Sequence, residues 1–222
     1  ALPAAVVADR QSLGRGRRGA RWWQPPGSLA ASIVIGCGGS GPQPAWSLAC
    51  GVALAETLRL LEPAAEALVR WPNDVEVQGR KLAGILVETV GTGRAIFGVG
   101  VNTTGSAVEA PEALRRRLTT LPDISGRPLP RQRLLAAFVP RLLDLLEAMT
   151  ADPAVLVTRY RPLCSLEGTF VTVHGAAGGR SGLCRGIAAD GALLLDTPSG
   201  RLHVTSASLT ALGDVWRGDA PR

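Results

Sequence analysis
Lysine is almost absent from this chain of 222 residues. Of its 24 Lys and Arg side chains only Lys81 is a lysine, and asparagine occurs only at Asn73 and Asn102. Richness in Ala, Gly, Arg and Pro points to drift toward GC-rich codons, under which an exposed lysine is readily exchanged for arginine. A lysine that stays lysine is a candidate for a position needing a compact, rotatable point charge; chance survival is the competing reading. The cysteines Cys37, Cys50, Cys164 and Cys184 lie far apart. They have neither paired metal-ligand spacing nor the density of a disulfide framework, which fits a reduced, cytoplasmic compartment. No apolar run is long enough to span a bilayer. Residues 1–8 are apolar but have no basic flank before them, so they do not read as a signal peptide. There is no Gly-x4-Gly-Lys-Ser/Thr segment, which excludes a P-loop.

Acidic residues are also missing between Asp9 and Glu56. Inside that gap, residues 14–23 read GRGRRGARWW, with Arg10 and Gln11 just before them. Glycine lets backbone N–H groups approach an anion closely. Arginine offers a fixed fork of donors for phosphate or carboxylate, and tryptophan a face for stacking. A flexible loop of this kind suits an anion with a flat group beside it. The spacing Gly14-x-Gly16-x-x-Gly19 also spells the dinucleotide fingerprint. That fingerprint needs a helix next and an acid about 20 residues on; here Arg21-Trp22-Trp23-Gln24-Pro25-Pro26-Gly27 follows and the acid is absent. The plain alternative is a solvated arginine loop. A net charge of +6 with 46% hydrophobic residues describes a globular protein whose partner is nucleic acid, an acidic protein or an anionic nucleotide.

Along the chain, residues 4–8 read as a short buried strand entering the arginine loop. Residues 28–36 form a second, with Leu29, Ala31, Ile33 and Ile35 in period two. A Gly/Ser/Pro turn over 37–44 precedes a helix at 46–61 whose buried face is Leu48, Val52, Ala55 and Leu58. Strands at 68–71, 81–89 and 94–101, with a fragment at 75–77, are joined by the turns 78–79 and 91–93. This is an antiparallel meander, not a βαβ series. Helices follow at 112–118, at 131–149 with Leu134, Leu135, Phe138, Leu142, Leu145 and Leu146 inward, and at 154–160. Pro140 should bend the long one or mark its first turn. After residue 162, short strands at 167–174, 181–188, 193–196 and 201–205 alternate with glycine turns. They suggest a small barrel of about 50 residues, packed on the main domain because so small a core is marginal alone. The tail 213–222 has low complexity.

Rare polar residues fall at the ends of adjacent elements. Trp71-Pro72-Asn73-Asp74 ends one strand, Arg80-Lys81-Leu82-Ala83-Gly84-Ile85-Leu86 opens the next, and Gly98-Val99-Gly100-Val101-Asn102 closes the third. Each taken alone also reads as a turn or a strand end. A cysteine nucleophile is not expected, because neither His174 nor His203 has an obvious place near these loops.

In order, Gln11, GRGRRG, Trp22, Pro26-Gly27, WPND, RKLAGILVE and GVGVN resemble the biotin protein ligases, from about residue 6 to residue 102. Arg185-Gly186-Ile187 and Asp190-Gly191-Ala192-Leu193 are similar to the last domain of that family. The resemblance implies an α+β fold: a mixed, largely antiparallel sheet backed by helices over 1–162, then an SH3-like barrel over 163–216. It implies a cytoplasmic enzyme that uses ATP, biotin and Mg2+ to make biotinyl-5′-AMP, then moves biotin to a lysine of a biotin carboxyl carrier protein. It allows a homodimer and implies no membrane. Lys81, Arg17 and Asp74 would be catalytic. Gln11, Gly14, Arg15, Gly16, Arg17, Lys81, Gly84 and Gly98 would meet biotin. Arg15, Arg18, Trp22, Asn73, Lys81 and Asn102 would meet ATP, and Asp74 would hold Mg2+ or orient the incoming amine.

Three departures stand beside this. Ala20 occupies a place that is usually arginine, so one anion contact is expected to be missing or moved to Arg21. Residues 206–210 lack the acid and arginine often found there, which leaves open whether the barrel helps in nucleotide binding. The Ser-Thr-Asn strand and helix that line the family's biotin pocket would lie before Ala1, so either the start is truncated or part of the biotin contact is lost; no DNA-binding helix-turn-helix is read, so a repressor role is not expected. Lipoate or octanoyl ligation on the same fold, a nucleic-acid-binding arginine loop, and a catalytically dead family member are the rival readings.

Overall fold
The computed structural model describes residues 2–37, 44–91, 93–175 and 178–211. The turns expected at 37–44 and 91–93 lie partly outside the described residues, and so do residues 212–216 and the tail 213–222. Strands β1 (Ala4–Val7) and β2 (Leu29–Gly36) flank the arginine loop. Helix α1 (Pro44–Leu61) leads to β3 (Leu68–Arg70), β4 (Asp74–Val77), β5 (Arg80–Thr89) and β6 (Arg94–Val101). Then come α2 (Glu112–Arg115), α3 (Leu121–Ser125), α4 (Arg131–Ala151) and α5 (Ala154–Tyr160). The last strands are β7 (Phe170–Gly175), β8 (Gly178–Ile187), β9 (Leu193–Thr197), β10 (Gly200–Val204) and β11 (Ser208–Ala211).

The first sheet has the order β1-β2-β6-β5-β4-β3, with each neighbouring pair antiparallel. Among the described residues, parallel contact enters only through isolated bridges from Val69 to Cys164 and from Lys81 to Leu118. The α+β fold is the expected one. The β4–β5 turn explains itself: Gln78 and Gly79 both have positive φ, 52° and 70°, which matches the right-handed strand twist of a two-residue hairpin.

Period-two alternation gives this sheet two different faces. Leu29, Ile33, Ala83, Ile85, Phe97 and Val101 are buried with α1 in the main core, and Phe97 stacks on Trp46 with centroids 6.2 Å apart. The intervening Ala30, Ser32, Gly84, Leu86, Gly98 and Gly100 line an open cavity on the other face. Helix α1 buries more than the one stripe expected. Ala45, Ala49, Cys50, Ala53 and Leu54 are buried along with Leu48, Val52, Ala55 and Leu58, because α4 and α5 cover its outer side. Helix α4 buries Leu134, Phe138, Leu142 and Leu145 and runs unbroken through Pro140.

Some local expectations are corrected. Strand β1 forms but is exposed, not buried, because it is the edge strand. Helix α2 stops at Arg115, since residues 117–119 leave it to pair with Lys81. Helix α3 was not expected; Thr120 caps its N-terminus and Gly126, at φ 75°, ends it.

Strand β11 was not expected either. It lies beside β7, giving a second sheet of order β10-β9-β8-β7-β11. Strands β10 and β11 sit at opposite edges yet are joined by residues 205–207 alone. Laid flat, those edges would be about 19 Å apart, four spacings of roughly 4.8 Å. Three linking residues reach at most about 14 Å, so the sheet must curl strongly, as an SH3-like sheet does. No β10–β11 pairing closes it among the described residues. The curled sheet is tied to the first one: Trp71 Nε1 donates to Gly191 O at 3.0 Å, Ser165 N to Val69 O at 3.1 Å, and the buried residues of both sheets form one cluster. Among the described residues no helix is long and apolar enough to cross a membrane.

Candidate active site
The open face of the first sheet forms the floor of a cavity of about 1250 Å³, large beside the ~300–1,000 Å³ of ordinary small-molecule sites. Its floor is bare because the register brings small residues together. Ala30, Gly100 and Gly84 lie side by side across β2, β6 and β5, and Ser32, Gly98 and Leu86 form the next row. The Trp22 indole lies on the first row. A Cβ on Gly100 would stand 2.6 Å from indole Nε1, and one on Gly84 would stand 3.1 Å from Cζ3. Only glycine admits a flat ring so close to the sheet backbone. Trp22 Nε1 in turn donates to Gln24 Oε1 at 2.8 Å.

The arginine loop is an ordered hairpin, more regular than its composition suggests. Trp22 N donates to Gly14 O at 2.9 Å and Gly16 N to Ala20 O at 2.7 Å, with a bridge between Arg15 and Arg21. The tip is a tight turn over Arg17–Gly19 in which Arg18 and Gly19 have φ of 55° and 77°. A Cβ on Gly14 would stand 2.9 Å from Trp22 O, so this glycine closes the two legs of the hairpin.

The polar groups converge under that tip. Lys81 Nζ lies 2.5 Å from Asp74 Oδ1 and 5.3 Å from the Trp22 ring centroid. Arg17 donates to Asn73 Oδ1 at 3.3 Å, and Asn73 Nδ2 donates to Ile85 O at 2.8 Å, which fixes the amide at the strand end. Burial, and then the neighbouring Arg18, pull the Arg17 guanidinium below its ordinary pKa, while Asp74 draws it back up. An arginine stays charged at neutral pH, so this cation gains from an arriving anion. The cations Arg15, Arg17, Arg18, Arg21, Arg70, Lys81 and Arg117 line the cavity, against the carboxylates Asp74 and Glu88.

Of the residues singled out in the sequence, Gln11, Arg15, Gly16, Arg17, Arg18 and Trp22 line this cavity, as do Asn73, Asp74, Lys81, Gly84 and Gly98. Two do not. Gly14 shapes the loop from outside the lining. Asn102 is 1% exposed and donates to Thr119 O at 3.0 Å, bracing the segment behind Lys81 rather than lining the cavity. Asp74 finds no further carboxylates for a protein-built metal cage: among the described residues no three His, Cys, Asp or Glu side chains gather.

The C-terminal sheet supplies a second wall, through Phe170, Thr172 and His174 of β7 and Ser208 and Thr210 of β11. His174 Nε2 and Thr210 Oγ1 are 3.1 Å apart. The expectation for His174 is therefore corrected. His174 does reach the site, although no cysteine lines it, and residues 207–210 reach it too, with hydroxyls in place of charges. Gly100 was missed although it continues the Gly98 period. Arg117 was missed because it reads as the basic end of a helix.

Residues 3–103 match the biotin/lipoate A/B protein ligase family. The chain is 36% identical to the biotin–[acetyl-CoA-carboxylase] ligase of Mycobacterium tuberculosis, over 95% of this chain and 77% of that protein. It is also 36% identical to the bifunctional ligase/repressor BirA of Escherichia coli, over 86% of this chain but only 61% of BirA. The structure is similar to that of biotin protein ligase from Aquifex aeolicus in complex with biotin and ATP, with a TM-score of 0.85 and 28% identity, covering 94% of this chain and 89% of that one. The arginine loop and the lysine strand both fall within the matched residues 3–103, and with relatives this similar over most of its length the chain belongs to the biotin/lipoate A/B protein ligase family, among its biotin protein ligases.

Proposed function
We propose that this chain activates biotin with ATP, giving biotinyl-5′-AMP and pyrophosphate, and then passes biotin to a lysine of a biotin carboxyl carrier protein. The observation that carries the reading is Lys81, held at the cavity mouth between Asp74 and the Trp22 ring and faced by the arginine loop. In the first step a biotin carboxylate oxygen bonds to the α-phosphorus, and the bond to the β-phosphate oxygen breaks. Two anions must meet, and at ~4 Å with an effective dielectric constant near 20 their repulsion is about 4 kcal/mol. Lys81 neutralises the carboxylate and the α-phosphate together, while Arg15, Arg17 and Arg18 cover the departing phosphates. Gln11, Gly16, Gly84 and Gly98 give biotin its bed beside the indole. Magnesium enters with the triphosphate as part of the substrate, which agrees with a site having Asp74 but no cage of its own.

In the second step the acceptor amine attacks the acyl carbon and AMP leaves. That amine is protonated in water, and Asp74 is the carboxylate placed to take its proton. The hairpin keeps water from the mixed anhydride meanwhile. The hydroxyl-lined wall of β7 and β11 faces the same space and is available to the carrier protein.

The test is ATP–pyrophosphate exchange with biotin or lipoate as the acid. Exchange with biotin at least ~100-fold above that with lipoate is the expected result, since a site built around one substrate's polar groups discriminates on that scale or beyond. Preference for lipoate would move the chain to the other branch of the fold. Gly100→Ala checks the floor: the added methyl pushes the indole aside, and overpacking of about 1–3 kcal/mol predicts a biotin KM roughly tenfold higher. An unchanged KM would mean the indole is not part of the bed.

A further inference from the structure
Trp23 has no part in the chemistry above, yet it is the anchor of the loop. With Leu114 it packs against Ala107, Ala110 and Leu118, a small cluster separate from the main core. Leu118 is the bridge partner of Lys81. Lys81 N donates to Arg117 O at 2.9 Å, and Thr119 N donates to Lys81 O at 2.9 Å. Residues 117–119 thus hold the backbone of the lysine on both sides, while Leu118 belongs to the cluster against which Trp23 packs. Neighbouring residues of an extended segment face opposite ways. Trp22 therefore reaches the Lys81 side chain as Trp23 reaches its backbone clamp.

The clamp is itself braced. Ser106 forms a capping box with Glu109. Asp123 accepts from Ser106 Oγ at 2.7 Å and from Ala107 N at 2.9 Å. Further along the loop's exit, Thr104 Oγ1 donates to Pro26 O at 2.9 Å and meets Ser28 Oγ at 3.0 Å. None of these contacts involves Trp23, so its removal is expected to free the hairpin without unfolding its exit.

We propose that Trp23 is a positioning residue that couples the arginine hairpin to Lys81 through Leu118, so that closure of the hairpin and placement of the lysine are set by one contact. The kinetic half of the idea rests on the ligase reading; the mechanical half does not. Trp23→Ala, Leu118→Ala, the double variant and Trp23→Phe are compared with the parent chain in two assays. Without any ligand, trypsin is expected to cut after Arg15, Arg17, Arg18 and Arg21 about tenfold faster in both single variants, with cleavage elsewhere unchanged, because proteolysis follows the open population. In biotin-dependent exchange each single variant is expected to raise the ATP KM and lower kcat, each about tenfold. The double variant should be no worse than about twofold beyond either single, because both remove one contact. Trp23→Phe should return within about threefold of the parent, since it refills most of the cluster.

Hairpin cleavage that stays at the parent rate, or rises equally at every arginine, would overturn the coupling; so would effects that multiply in the double variant. A chain that makes no adenylate would refute the ligase reading, and the trypsin result would still decide the mechanical one.

Discussion

Lys81→Ala is expected to lower biotin-dependent ATP–pyrophosphate exchange by at least ~100-fold, the scale of losing one pre-placed donor at a developing charge. The ammonium sits where carboxylate and phosphate must meet, 2.5 Å from Asp74 and above the Trp22 ring. Without it about 4 kcal/mol of repulsion is left to the arginines alone. Lys81→Arg is expected to fall nearly as far. The lysine chain is threaded closely over the strand, with its Cε 3.1 Å from where a Cβ on Gly84 would stand. A planar fork cannot turn there as an ammonium does. The defect should be chemical, since Lys81 holds residues 117–119 through its backbone, which substitution leaves in place. Exchange by Lys81→Ala above a tenth of the parent rate, in a chain with parental thermal unfolding, would remove the lysine from the mechanism.

Trp71→Ala carries the largest expected loss of stability. The side chain is 1% exposed and belongs to the core shared by both sheets. Its indole N–H reaches Gly191 O at 3.0 Å across the junction. Truncating a buried tryptophan costs about 3–5 kcal/mol, and the carbonyl left behind adds about 1–3. Domain stabilities of ~5–15 kcal/mol leave little after that. Guanidinium unfolding should show the midpoint falling by a large fraction of its parent value. Trp71→Phe keeps most of the apolar volume but loses the donor, so its loss should be nearer 1–3 kcal/mol. A Trp71→Ala loss below ~1 kcal/mol would mean that the two sheets are not held together there.

The sequence disclosed the chemistry better than the architecture around it. Lys81 stood out because one lysine survives among arginines, and the loop because its charges share a single sign. The floor was half legible: Gly84 and Gly98 were visible as glycines in apolar strands, but the row Ala30–Gly100–Gly84 exists only once three strands are in register. Asn102 shows the limit of rarity as a signal. A scarce amide is needed equally by a ligand and by a buried loop, and here it is spent on a bond to Thr119 outside the cavity lining. Strand β11 reads SLTA, too short and polar to announce itself, and it becomes a strand because β7 offers an edge. The exposure of β1 was hidden for the same kind of reason: AAVV states a preference for burial, and an edge position denies it. His174 reached the cavity through the curl of a sheet whose strands were visible but whose order was not.

Single-turnover trapping tests the central claim most directly. The purified chain, biotin and ATP labelled at the α-phosphate are mixed at equal concentrations with pyrophosphatase, and the bound label is identified after rapid gel filtration. The account predicts one labelled biotinyl-5′-AMP per chain, formed only with biotin and retained by the protein. No labelled adenylate, or label captured equally without biotin, would contradict it.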